Sequence, residues 1–162
     1  MTSVPKGEAE TMDFNATKAT KANKAAGVAL VSSTLTLELI DADGASTPLE
    51  TELTYDPRDP YAVTAVFMTV AGRVEWTFGR ELLMGGLHEP TGDGDVHVWP
   101  CLDGDARSVV IIELVSPDGE ALVQARAADM SAFVERMTHA VPPGNENVDV
   151  DAAIAAIFAE AA

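Results

Sequence analysis

The chain has a single cysteine, Cys101, no lysine after Lys24, few aromatic residues and no long apolar run. One thiol excludes an intrachain disulfide framework and suits a reducing compartment. Its expected place is the core, as a small hydrophobe. A thiol nucleophile needs a base beside it, and although His97 lies nearby in sequence, nothing else supports that pairing. Without a run of about 18 apolar residues, no membrane-spanning helix is expected. Residues 1–26 lack the continuous apolar segment of a signal peptide and read as a polar arm, expected to be disordered. Walker A, Gly-x-Gly-x-x-Gly, Gly-x-Ser-x-Gly and His-Glu-x-x-His motifs are all missing, so no catalytic activity is expected.

Positive charge is the scarcest commodity. Ten Lys and Arg stand against 26 Asp and Glu, a formal net charge of -16 over 162 residues. All four lysines, Lys6, Lys18, Lys21 and Lys24, lie in the arm, which leaves only arginines as cations in residues 28–162. Such a surface repels polyanions, so nucleic acid is not an expected partner, and neither is an anionic membrane leaflet.

The carboxylates do not group as ligands. Asp93-Gly94-Asp95 and Asp103-Gly104-Asp105 lack the EF-hand register and read as hairpin turns. His88, His97 and His139 are scattered, with only Cys101 near one of them, so no metal or cofactor is expected.

What is present is alternation. Ser33 to Leu39 places Leu35, Leu37 and Leu39 on one face, and Asp43-Gly44 then turns the chain. Leu49 to Tyr55, Ala62 to Val70, Arg73 to Phe78, Val96 to Pro100, Ser108 to Val115 and Ala121 to Arg126 complete seven strands. Val74, Trp76 and Phe78 are expected on a buried face, and Val66, Met68 and Val70 with Val110, Ile112 and Leu114 suggest burial on both faces. A short helix from Arg80 to Met84 should stop at Gly85-Gly86. Met130, Phe133, Val134, Met137 and Val141 form one face of an amphipathic helix with Asp129 as its N-cap. Asp151 to Ala161 forms a last helix, with Ile154, Ile157 and Phe158 on one side, and both helices are expected to pack on the sheet. The fold class is α+β, a curved antiparallel sheet of about seven strands with C-terminal helices.

Three blocks add a resemblance. They are Tyr55-Asp56-Pro57-Arg58-Asp59-Pro60-Tyr61, Val74-Glu75-Trp76-Thr77-Phe78-Gly79-Arg80-Glu81-Leu82-Leu83, and Pro90-Thr91-Gly92-Asp93-Gly94-Asp95-Val96-His97-Val98-Trp99-Pro100. With Ser116-Pro117-Asp118-Gly119 and Val141-Pro142-Pro143-Gly144 following in order, residues 27–162 resemble the SsgA-like proteins of actinomycetes. The resemblance implies a non-enzymatic regulator of sporulation-specific division, cytoplasmic and concentrated at the septum. It implies partners too: FtsZ, other division proteins or SsgA-like paralogues, and further copies of the chain in a trimer. The implied fold is whirly-like, which raises single-stranded nucleic-acid binding as an alternative. That alternative needs a basic groove, whereas Phe67, Trp76, Phe78 and Trp99 lie in strand patterns that suit a core.

Tyr55, Asp56, Asp59, Pro60, Tyr61, Trp76, Arg80, Pro90, Gly92, Asp95, Trp99 and Pro100 match the family blocks, as structural or partner-binding positions. Pro60, Gly92 and Pro100 are expected to shape turns, and Trp76 and Trp99 to lie in the core. Arg80 is expected to bind a loop carboxylate, Asp56, Asp59 or Asp95, through its planar fork.

Overall fold

Alternating strands become a sheet only where turns return the chain upon itself, and here aspartates build those turns. The computed structural model describes residues 28–161; the arm, residues 1–26, lies outside them. Seven strands form one antiparallel sheet: β1 (Val31–Ile40), β2 (Ser46–Tyr55), β3 (Ala62–Thr69), β4 (Gly72–Gly79), β5 (Val96–Leu102), β6 (Ser108–Ser116) and β7 (Gly119–Arg126). Their order is β4-β3-β2-β1-β7-β6-β5. Three helices complete the described residues: α1 (Arg80–Gly86), α2 (Ala127–Ala140) and α3 (Val150–Ala161). The fold is α+β, with a curled antiparallel sheet.

The β1–β2 and β5–β6 turns share one design. Asp41 Oδ1 accepts the N–H groups of Asp43 and Ala45 at 2.9 and 2.8 Å. Asp103 Oδ1 likewise accepts those of Asp105 and Arg107, both at 2.9 Å. These side chains substitute for a backbone turn, and Asp103 is further engaged by Arg107 Nε at 3.2 Å. The left-handed position falls on Gly44 in the first turn and on Ala106, not Gly104, in the second.

Strand registers define two sheet faces. Leu37 stands opposite Leu49, Thr51 opposite Phe67, and Leu39 opposite Val123. With Val98 opposite Ile112 and Ile112 opposite Val123, these residues share an inner, apolar face. Met130, Phe133 and Met137 of α2 are fully buried in the same core, as the amphipathic spacing predicts. The helix begins earlier than expected: β7 runs directly into it, Arg126 takes the N-cap position without a side-chain bond, and Asp129 lies in the first turn. Arg136 Nη2 ties α2 to β1 through the Ser32 carbonyl at 2.8 Å.

Several burial expectations are corrected. On β4, Phe78 is buried and Trp76 half-buried, but Val74 is exposed, because the inner face is uncovered towards the β3–β4 turn. On the outer face, Val66 and Val109 are buried, whereas Met68 and Val70 beside that turn are exposed. Cys101 is exposed rather than in the core, since it occupies an outer-face position on the edge strand β5. The short helix continues through Gly85 and Gly86 before Leu87 caps it. The last helix does not pack on the sheet: none of its residues is buried. Asp149 caps it, accepting the Ala152 N–H at 2.9 Å.

Candidate functional site: a loop braced by Arg80

β4 passes straight into α1, and that junction carries Arg80 into the interior, where it is one of the few buried polar residues and only 2% exposed. A buried guanidinium must find acceptors, and it finds three. Nη1 donates to the Tyr55 hydroxyl at 3.2 Å and to the Val141 carbonyl at 2.8 Å. Nη2 donates to Glu146 Oε1 at 2.6 Å. The guanidinium carbon also stands 5.5 Å from the centre of the Tyr55 ring, within cation–π range.

The arginine therefore does anchor a carboxylate, but the carboxylate is Glu146. Asp56 is engaged elsewhere: Arg58 Nη2 donates to its Oδ2 at 2.9 Å. Asp59 lies in the loop turn, where its N–H donates to the Asp56 carbonyl at 2.8 Å. Asp95 is exposed and contributes its carbonyl to the Val115 N–H at 2.8 Å.

Around Arg80 the Tyr55–Tyr61 block closes into one shaped loop. The Tyr55 hydroxyl accepts from Arg80 and donates to the Pro60 carbonyl at 2.9 Å. The Arg80 N–H donates to the Tyr61 carbonyl at 2.8 Å. Tyr55 and Pro60 are buried, whereas Tyr61 is 50% exposed and Arg58 and Asp59 also face solvent. Arg80 thus fixes the loop from beneath and leaves an aromatic, a cation and a carboxylate at its outer edge.

On the other side, Glu146 is held twice, since its Oε2 accepts the Gly144 N–H at 2.8 Å. One arginine thereby joins the end of β2, the following loop, the end of α2 and the Pro142–Glu146 segment. Electrostatics follow from this arrangement. Burial pushes the Tyr55 phenol above its ordinary value, with Arg80 opposing. The hydrogen bond from Arg80 holds Glu146 below the usual glutamate range, and that from Arg58 does the same for Asp56.

A depressed folded-state pKa means that Glu146 contributes stability above its unfolded value, about 4.3, and loses it as pH falls through the lower folded value. Glu146→Gln should therefore melt below the wild type near neutral pH, with the gap closing as pH falls below about 4. Thermal melts of both proteins from pH 3 to 7 check this; a gap constant across that range would show that the Glu146 charge is not what Arg80 needs.

The remaining family-block residues lie apart from this cluster. Trp76 is half-buried on the inner face, and Trp99 is half-buried on the outer face of β5 opposite Ile111. Pro100 sits exposed on edge strand β5, where a missing N–H is tolerated. Pro90 and Gly92 belong to the exposed loop from α1 to β5, which returns through a Thr91–Val98 bridge. Gly92 has φ +106° and a Cβ there would crowd His97 Cα and Leu82 Cδ2, each at 3.3 Å. His97 Nδ1 pairs with Glu113 Oε1 at 3.3 Å across the β5–β6 register.

Residues 49–146 match the family described as Streptomyces sporulation and cell division protein, SsgA, and the protein belongs to that SsgA-like family. Within it the similarity is to the SsgB type. The sporulation-specific cell division protein SsgB of Streptomyces coelicolor is 47% identical over 133 residues, covering 80% of this chain and 96% of that protein. A solved structure of an SsgA-like sporulation-specific cell division protein from Thermobifida fusca is 42% identical, with a TM-score of 0.70, covering 78% of this chain and 93% of that one. Another, from work on SsgB mutations that correlate to longitudinal cell division during sporulation of Streptomyces coelicolor, is 50% identical with a TM-score of 0.67, covering 72% and 90%.

Proposed function

We propose that the protein acts in sporulation-specific cell division as a non-catalytic adaptor, helping to position or recruit FtsZ at septum sites through protein contacts. It works in the cytoplasm at the division septum, as a whirly-like homotrimer. Its relatives' names supply the process. The observation that carries the molecular reading is the braced loop: buried Arg80 donates through its backbone N–H to the Tyr61 carbonyl and through its side chain to the Tyr55 hydroxyl that holds Pro60, beneath a surface edge formed by Arg58, Asp59 and Tyr61. Tyrosine and arginine on a rigid support are the side chains that dominate protein interfaces, because little further entropy is lost when they bind. No helix among the described residues is long and apolar enough to cross a membrane.

Tyr61→Ala should leave the melting temperature unchanged within about 2 °C, since the side chain is half exposed and only its backbone carbonyl is used. Its binding to FtsZ polymers should fall at least about 10-fold, the loss expected of an interface hot spot. Titrated co-sedimentation reads the effect, and wild-type affinity in the variant would remove the loop edge from the contact.

A further inference from the structure

Two apolar surfaces stand open to solvent. One is α3 with Val148 just before it: Val148, Val150, Ile154, Ile157 and Phe158 are all between 42% and 71% exposed. From Val150 to Phe158 the spacing puts them on one helical stripe about 12 Å long. The other is the uncovered end of the inner sheet face. There the curl of the sheet brings β3 and β4 towards β6 and β7, enclosing an open apolar trough of about 310 Å³. Leu39, Leu49, Phe67, Trp76, Leu114 and Val123 line it. α1 and α2 cover the rest of this face, and exposed Val74 stands at the trough's margin.

We infer that the trough is the seat for α3 of a second copy of the chain, so that each protomer offers one helix and receives one. This rests on the homo-oligomer proposed above and assigns its contact surfaces. One sequence offers both halves of a contact: a helix with an apolar stripe and no buried residue, and an open apolar trough left beside a helix already packed there. The route favours a neighbour. Chain entry to α3 follows Glu146, which Arg80 holds at the end of β4 opposite the trough's Val74 end. Burying both surfaces removes the large exposed side chains of α3 and the exposed wall of the trough in one step. A helix-to-trough contact is heterologous, and such contacts give a finite particle when the rotation between copies closes a ring.

The test is complementation between two variants of the full chain. Ile157→Asp/Phe158→Asp should spoil the helix, and Val74→Asp should spoil the trough; all three positions are solvent-exposed, so both proteins should keep the wild-type circular dichroism. Light scattering should find the wild type as an oligomer and each variant alone at the mass of one chain, 17.0 kDa. Mixed, the two should form a one-to-one dimer, because one intact trough and one intact helix remain. In a Trp99→Phe background, emission from Trp76 should shift to the blue with protein concentration in the wild type and stay red in the helix variant.

An oligomer that survives in the helix variant overturns the inference. So does a concentration-independent blue shift in a monomeric wild type, which would mean that α3 closes on its own trough. Failure of the mixed variants to pair also overturns it. Binding to FtsZ is read separately: an oligomer built by another surface that still binds FtsZ sinks this inference alone, while helix-built oligomers that ignore FtsZ sink the adaptor reading alone.

Discussion

Arg80→Ala is expected to destabilise the protein by about 3 kcal/mol, near the top of the range for losing charged hydrogen bonds and within that for breaking a buried ion pair. The magnitude follows from what is left behind. Val141 loses its donor for a carbonyl at the end of α2, Glu146 loses its cation, and the Tyr55 hydroxyl keeps only the bond it donates to Pro60. Glu146 retains some access to water, with its side chain 17% exposed, which keeps the cost from rising further. A melting temperature lower by roughly 10 °C is the expected reading for a domain of this size. Arg80→Lys should recover only part of it, because an ammonium lacks the planar fork that serves Val141 and Glu146 from two nitrogens. A variant that melts with the wild type would place the arginine at a partner surface instead of inside the fold.

Gly86→Ala is the second large effect, and it tests packing rather than charge. A Cβ at Gly86 would stand 2.5 Å from Val98 Cβ and 3.1 Å from the Val98 carbonyl carbon, so α1 can lie on β5 only while that position is bare. Overpacking of this kind costs about 1–3 kcal/mol, and the upper half is expected here because part of the obstacle is backbone. Gly85→Ala is the internal comparison: its Cβ would meet the side-chain end of Thr91, with Oγ1 at 2.7 Å, and that group can rotate away. Its cost should stay below about 1 kcal/mol. Combining Gly86→Ala with Val98→Ala should cost less than the sum of the two single changes, since the second removes Val98 Cγ1, the atom nearest the new Cβ, while Val98 Cβ and the backbone stay in the way. Strict additivity in denaturant titrations would show that the contact is not the cause.

The sheet was legible because period-two alternation and Asp-Gly turns are local signals. Leu35, Leu37 and Leu39 shared a face as expected, and the strand ends moved only by a few residues. The partner of Arg80 was not legible. Glu146 is 66 positions away, beyond the end of a helix whose direction must be known before its following turn can be placed. The nearer aspartates were plausible on charge alone, but Asp56 is satisfied by Arg58 two residues on. Apolar spacing in α3 correctly gave a helix and misled about its burial, because a stripe records that a surface is to be covered and not which molecule covers it. Val74 failed for the same reason: the alternation assigns it to the inner face, and only the extent of α1 and α2 decides that this end stays open. Cys101 shows the converse, a residue type usually found inside placed outward on an edge strand by its register.

The most direct measurement is co-sedimentation of the purified wild-type protein with assembled FtsZ from the same organism, in the absence of any other protein. The account predicts that the protein enters the pellet saturably with the polymers and that Tyr61→Ala, folded as judged by its melting curve, stays in the supernatant. Wild-type protein remaining in the supernatant at every polymer concentration would contradict direct recruitment through the braced loop.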